Sequence, residues 1–128
     1  MYIPALYFKK IPSIGDLYLD EIFLQDDCLL LFTLTHDNRK FITICRSNIH
    51  KQKWVLYEIN DQILDEMKRG VLTLKQGIKA FPAGTSAVVL WDKETNDIHY
   101  RVFVNVAHDI ESLDDNIMIN EPTEDGEE

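Results

Sequence analysis

Hydrophobic and polar positions alternate with a period of two in several short runs, and each run predicts a strand. In DLYLDEIFL (16–24), Leu17, Leu19 and Phe23 fall on one side and Tyr18, Ile22 and Leu24 on the other. QDD (25–27) breaks the run, and CLLLFTLT (28–35) follows as a strand with apolar residues on both faces. HDNR (36–39) predicts a turn, because Asp and Asn tolerate left-handed backbone and bond to their own main chain. KFITIC (40–45) returns as the second arm of a hairpin, and WVLYEI (54–59) adds a fourth strand after the basic loop RSNIHKQK. Late in the chain come SAVVLW (86–91) and IHYRVFVNV (98–106). In the last of these Ile98, Tyr100, Val102, Val104 and Val106 share one face, while His99, Arg101 and Asn105 share the other with Phe103 as its one apolar member.

Between the fourth and fifth strands the period lengthens to about four, with Ile63, Leu64 and Met67 on one side of a helix over 61–69. Asn60 is its N-cap and Gly70 its stop; Asp61 and Lys68 suit the two ends of the helix dipole. Thr73 with Gln76 three residues on predicts a capping box for a second short helix, 74–80, which Pro82 ends and Gly77 weakens. The fold class expected is therefore α+β: a mostly antiparallel sheet of about six strands with two short helices, followed by an acidic C-terminal tail. The length, 128 residues, suits a single domain over 1–106 with the tail at 107–128, partly docked or disordered.

Charge sharpens this picture. The net charge is −9, and residues 107–128 hold nine carboxylates and no Lys or Arg, so the body is balanced and the tail carries the excess. Within the body, Arg39 to Lys79 holds nine basic and four acidic residues. Opposite charges attract over about 8–10 Å at ordinary ionic strength, so the tail from Asp109 to Glu121 is expected to dock on this basic middle, with Ile110, Leu113, Ile117 and Met118 as apolar anchors.

Little in the sequence points to chemistry. The four histidines lack the spacing that places two ligands on one helix face, so no metal or other cofactor is expected. FPAGTS (81–86) runs from helix to strand, the reverse of a phosphate-binding loop. Cys28 and Cys45 fall on facing arms of the hairpin, where two buried thiols are the expectation and a redox pair the alternative. Two cysteines make no disulfide framework, which points to a reducing, cytoplasmic setting; no apolar run approaches membrane-spanning length, so no membrane partner is expected. The opening MYIPALYFKKIPSI places apolar residues before lysines, the reverse of a secretory signal.

The pattern IPSIGDLYLDEIF, LLLFTLTHDNRKFITI, WVLYEI and ILDEMKRGVLTLKQGIKAF resembles an uncharacterised family of small bacterial domains over about residues 11–81. The resemblance implies a shared fold and brings no activity or site residues with it. The function expected is a non-enzymatic cytoplasmic interaction module, an adaptor or inhibitor that acts through charged surfaces and whose partner is another protein. Its candidate contact residues are Arg39, Lys40, Arg46, Lys51 and Lys53 in the basic hairpin, and Asp114, Asp115, Ile117 and Met118 in the tail. The alternative is a nucleic-acid-linked regulator, binding through the basic 39–53 loop or imitating nucleic acid with the acidic tail.

Overall fold

A computed structural model of the chain describes residues 8–25, 29–46, 51–81, 84–92 and 94–119. Six strands, β1 (Tyr18–Gln25), β2 (Leu29–His36), β3 (Arg39–Cys45), β4 (Lys51–Ile59), β5 (Ser86–Asp92) and β6 (Asp97–Phe103), form one sheet. Each strand pairs antiparallel with its neighbour in sequence, giving the order β1-β2-β3-β4-β5-β6. Helices α1 (Asp61–Lys68) and α2 (Leu74–Lys79) are inserted between β4 and β5. The α+β class with a mostly antiparallel sheet is the architecture observed.

The alternation of each strand sends its residues to two faces, and both are apolar. One face carries Ile42, Val55, Tyr57 and Val88 and is covered by Ile63, Leu64 and Met67 of α1 and Leu74 and Ile78 of α2. The other carries Phe32, Leu34, Phe41, Leu56 and Val89 and is covered by Phe8, Ile11, Ile14 and Leu17 of the N-terminal segment. Each side chain so buried contributes roughly 1.5–3 kcal/mol. Phe8 is the main contact of that segment, meeting Phe32 and Trp54 edge-on at ring-centroid distances of 6.0 and 5.2 Å. Behind it the chain turns through IPSIG, where Gly15 N–H donates to the Ile11 carbonyl at 2.8 Å and Gly15 takes φ 101°, a conformation that favours glycine.

The helix caps form as their residues dictate. Asn60 Oδ1 accepts from the Ile63 amide at 2.8 Å, and Thr73 and Gln76 exchange both bonds of the capping box. Gly77 is required rather than tolerated: a Cβ at this position would lie 2.3 Å from Sδ and 2.7 Å from Cγ of Met67, which is fully buried. It is the residue that lets the two helices approach.

Strand boundaries differ most from the sequence pattern at two places. β4 begins at Lys51 rather than Trp54, because Lys51, Gln52 and Lys53 pair with β5 instead of remaining in the basic loop. The final strand ends at Phe103 rather than 106, because Asn105 adopts left-handed backbone (φ 59°) and turns the chain off the sheet, leaving Val104 and Val106 exposed. The odd apolar residue on the polar face of that strand, Phe103, is accounted for: it packs against the helix-side core. Cys28 lies outside the described residues, and with it any pairing to Cys45.

Alanine for glycine inside an ordinary helix stabilises by about 1 kcal/mol. Here Gly77→Ala is expected to destabilise instead, by about 1–3 kcal/mol, because the methyl enters occupied space. Denaturant unfolding of Gly77→Ala, Met67→Ala and the double variant checks this: the double variant should cost clearly less than the two single costs together.

Candidate interaction site

Beyond β6 the chain doubles back over the helix face as a strap, residues 107–119. Ser86 starts it, its hydroxyl donating to the Val106 carbonyl at 2.5 Å and accepting from the His108 amide at 2.9 Å. The His108 carbonyl accepts from the buried Tyr57 hydroxyl at 2.7 Å, and the His108 ring stacks on Phe103 at 4.1 Å between centroids. A short 3-10 turn, Ile110–Ser112, follows, entered through Asp109 in left-handed backbone. Leu113 and Ile119 then enter the core formed by the sheet and both helices. Between them the Ile117 carbonyl accepts from the Leu74 amide at 2.8 Å, satisfying one of the free donors at the start of α2.

Charge holds the same segment. Lys75 Nζ lies 2.9 Å from Asp115 and 3.2 Å from Glu111, and Lys79 Nζ lies 2.9 Å from Glu111. Lys79 first, then Lys75, hold the Glu111 carboxyl below the usual carboxylate range, while Asp115 and Glu111 raise the Lys75 ammonium above its ordinary value. Arg46 adds a bond from Nη1 to Ser112 Oγ at 2.9 Å. The carboxylates are exposed, so these contacts are salt-sensitive and the apolar pair supplies the part that is not.

Four apolar residues of the tail were expected as anchors. Ile110 and Leu113 pack inward as expected of them, but Ile117 and Met118 are turned out, 37% and 39% exposed, and Ile119 takes the buried place. Asp114 is exposed beside them, and Asp115 is the partner of Lys75. The strap thus presents Ile117 and Met118 to solvent from a segment fixed on either side. Residues 120–128 lie outside the described residues.

Among the described basic residues of the hairpin, Arg39 and Lys40 do not converge. Arg39 and Lys40 alternate on β3, so Arg39 lies on the face of Phe41 and Lys40 on the face of Ile42. Arg39 grips Glu58 through two bonds of 3.1 and 3.0 Å and reaches the Ser13 carbonyl at 3.3 Å. Burial alone would raise the Glu58 carboxyl, but Arg39 and the Thr85 amide outweigh it and hold it below its ordinary value. Lys40 lies between Asp20 at 3.1 Å and Asp61 at 3.0 Å; burial works to lower it, and the two carboxylates raise it overall. Arg46 and Lys53 are joined through their backbones at the far end of β3, about 20 Å away at strand rise. Lys51 begins β4, and its side chain lies outside the description.

An open polar cleft of about 290 Å³ lies at the β2–β3 turn, lined by Asp20, Thr35, Asp37, Asn38, Arg39, Lys40 and Asp61. Both of its cations are already held by carboxylates. Among the described residues no group of three His, Cys, Asp or Glu side chains is placed to hold a metal, and no helix is long and apolar enough to cross a membrane. No protein-family model matches the chain, nor does any curated protein or any solved structure.

The residues missed from sequence, Lys75, Lys79 and Glu111, carry a readable signal. Two lysines four apart share one face of α2, and Glu111 and Asp115 repeat that interval in the strap.

Docking of the strap is expected to respond to pH at both ends. Glu111 is lower in the folded chain than its ordinary 4.5, so its contribution is present above that value and lost as pH falls through the depressed one. Lys75 is raised, so its contribution is full below 10.5 and lost as pH rises beyond its raised value. Tyr57, raised by burial to about 12, works in the same alkaline direction. Amide exchange at 107–119 should therefore show greatest protection between these limits and partial loss at high salt. Leu113→Ala should cost about 2–5 kcal/mol in global stability, and a cost near zero would show that the strap is not part of the core.

Proposed function

We propose that this protein is a non-enzymatic, cytoplasmic protein-interaction module, an adaptor or inhibitor that presents the outer side of its strap to a protein partner. The observation that carries this reading is the exposed Ile117–Met118 pair, flanked by Asp114 and Asp115 and set between the buried anchors Leu113 and Ile119. Two large apolar side chains held outward on a fixed segment lose little conformational freedom on binding, and methionine adapts to irregular pockets. The adjoining carboxylates suit a partner whose apolar pocket has a basic rim, which would steer the encounter. The reducing compartment rests on the cysteine usage of the sequence.

Nucleic-acid recognition through the 39–53 region has less support, since Arg39 and Lys40 face opposite sides of the sheet and are each held by carboxylates. Imitation of nucleic acid by the strap is likewise weakened, because Glu111 and Asp115 are spent on α2.

Affinity capture from a cell extract at low salt, run in parallel with the full chain and with an Ile117→Ser/Met118→Ser variant, tests the reading. The full chain should retain a protein that the variant binds about thirtyfold more weakly, the consequence of losing contacts worth about 2 kcal/mol. Equal capture by both, or turnover of any small molecule by the purified chain, would overturn it.

A further inference from the structure

We infer that the strap is exchangeable: two copies of this chain associate by each seating its residues 107–119 on the helix face of the other, with Val104 to Val106 as the hinge. What the helix face accepts is already known, because the strap fills it within one chain. The strap is held by Arg46, Tyr57, Leu74, Lys75, Lys79 and Ser86, all of which lie outside it. A second copy offers the same residues in the same arrangement. Each of these bonds, with the burial of Leu113 and Ile119, re-forms between chains as it forms within one, so the closed and exchanged forms differ chiefly at the hinge.

The hinge favours exchange. Ile98, Tyr100, Val102, Val104 and Val106 alternate without interruption, and valine suits extended backbone. The closed fold overrides that preference: Asn105 takes φ 59°, a left-handed conformation that costs any residue with a Cβ, and Val104 and Val106 are left 60% and 51% exposed. A local preference contradicted by the path of the chain marks a segment with a second arrangement, and a short turn under strain is where exchange begins. Straightened, 104–106 prolongs β6 past Ser86, the first residue of β5, which pairs with Phe103. Two such extensions lie antiparallel about a two-fold axis at Asn105, which sets Asn105 against Asn105 and each Val104 against Val106 of the other copy. Directly opposed residues of an antiparallel pair share a face, so both valine pairs meet on one side of the ribbon. Each Val106 then arrives beside the Val104 of the very chain whose Ser86 it bonds in the exchanged form. Closure within one chain keeps the advantage of an effective concentration in the millimolar range, so exchange belongs to high protein concentration. It is also slow, because a strap must leave one helix face before it seats on another.

Incubation of the full chain at about 1 mM, then dilution and sedimentation, reads this out. A species of twice 14.9 kDa should accumulate slowly and outlast the dilution. Asn105→Gly, which removes the left-handed cost, should weaken the association, and Asn105→Val, which raises that cost, should strengthen it by about tenfold for each of the two hinges. Charge-reversed chains test the exchange itself. Lys75→Glu/Lys79→Glu sets an acidic helix face against an acidic strap, and Glu111→Lys/Asp115→Lys sets a basic face against a basic strap. Mixed, the two should form a one-to-one dimer in preference to either alone, since each strap finds opposite charge only on the other chain. Exchange leaves the side of the strap that bears Ile117 and Met118 turned outward, so capture of a partner by that pair stands or falls separately. Wild-type and Asn105→Val chains that both stay monomeric would overturn the inference. So would a dimer indifferent to both Asn105 substitutions, or folded charge-reversed chains that do not pair. If a charge-reversed chain does not fold, the two Asn105 variants decide alone.

Discussion

A single sheet with two apolar faces must be covered twice, and most of the architecture follows from that requirement. β2 states it most plainly: Phe32 and Leu34 face one way and Leu31 the other, so no orientation leaves the strand half in water. The helix pair alone does not complete its side of the sheet. Leu113 and Ile119 close the remainder, which places the last described residues of the chain among its most buried. On the opposite side a segment without a regular helix or strand suffices, because Phe8, Ile11, Ile14 and Leu17 are spaced to point into the sheet while their turn satisfies its own backbone.

Polar contacts fasten each cover at the same end of the β2–β3 hairpin. Arg39 joins β3 to Glu58 of β4 and to the Ser13 carbonyl of the N-terminal cover, and Glu58 in turn accepts from Thr85 at the entrance to β5. One residue on, Lys40 joins β1 to the first turn of α1 through Asp20 and Asp61. These two adjacent cations serve opposite faces of the sheet. Part of the charge that makes the middle of the sequence look like a binding surface is thereby spent on internal ties, which have sharper geometry than a diffuse basic patch.

Local rules made the elements legible from sequence. Period-two alternation marked the strands, Asn60 and the Thr73–Gln76 box marked the helix starts, and the left-handed tolerance of Asp and Asn marked the hairpin turn, where Asp37 has φ 54°. The pattern failed where tertiary contacts override it. Val104 and Val106 continue the alternation of β6, yet Ser86 draws the backbone away to bond Val106 and His108. The candidate site was legible only in part for a related reason. Opposite net charges pointed to contact between tail and middle, but total charge is blind to direction, and the choice among Ile117, Met118 and Ile119 is one of backbone path. Only Ile119 points inward once the Ile117 carbonyl is bound to the Leu74 amide.

The nearest-neighbour strand order has a consequence for how the chain is made. In a meander each strand finds its partner in the strand just synthesised, so pairing can keep pace with emergence from the ribosome and needs no long search. The strap is the exception. It is translated after β6 and meets α2, which emerged about thirty residues earlier, so the helix-side core stays open to solvent until the strap itself has emerged. During that interval the nascent chain displays apolar surface that the finished molecule hides, and a chaperone has a defined window in which to engage it.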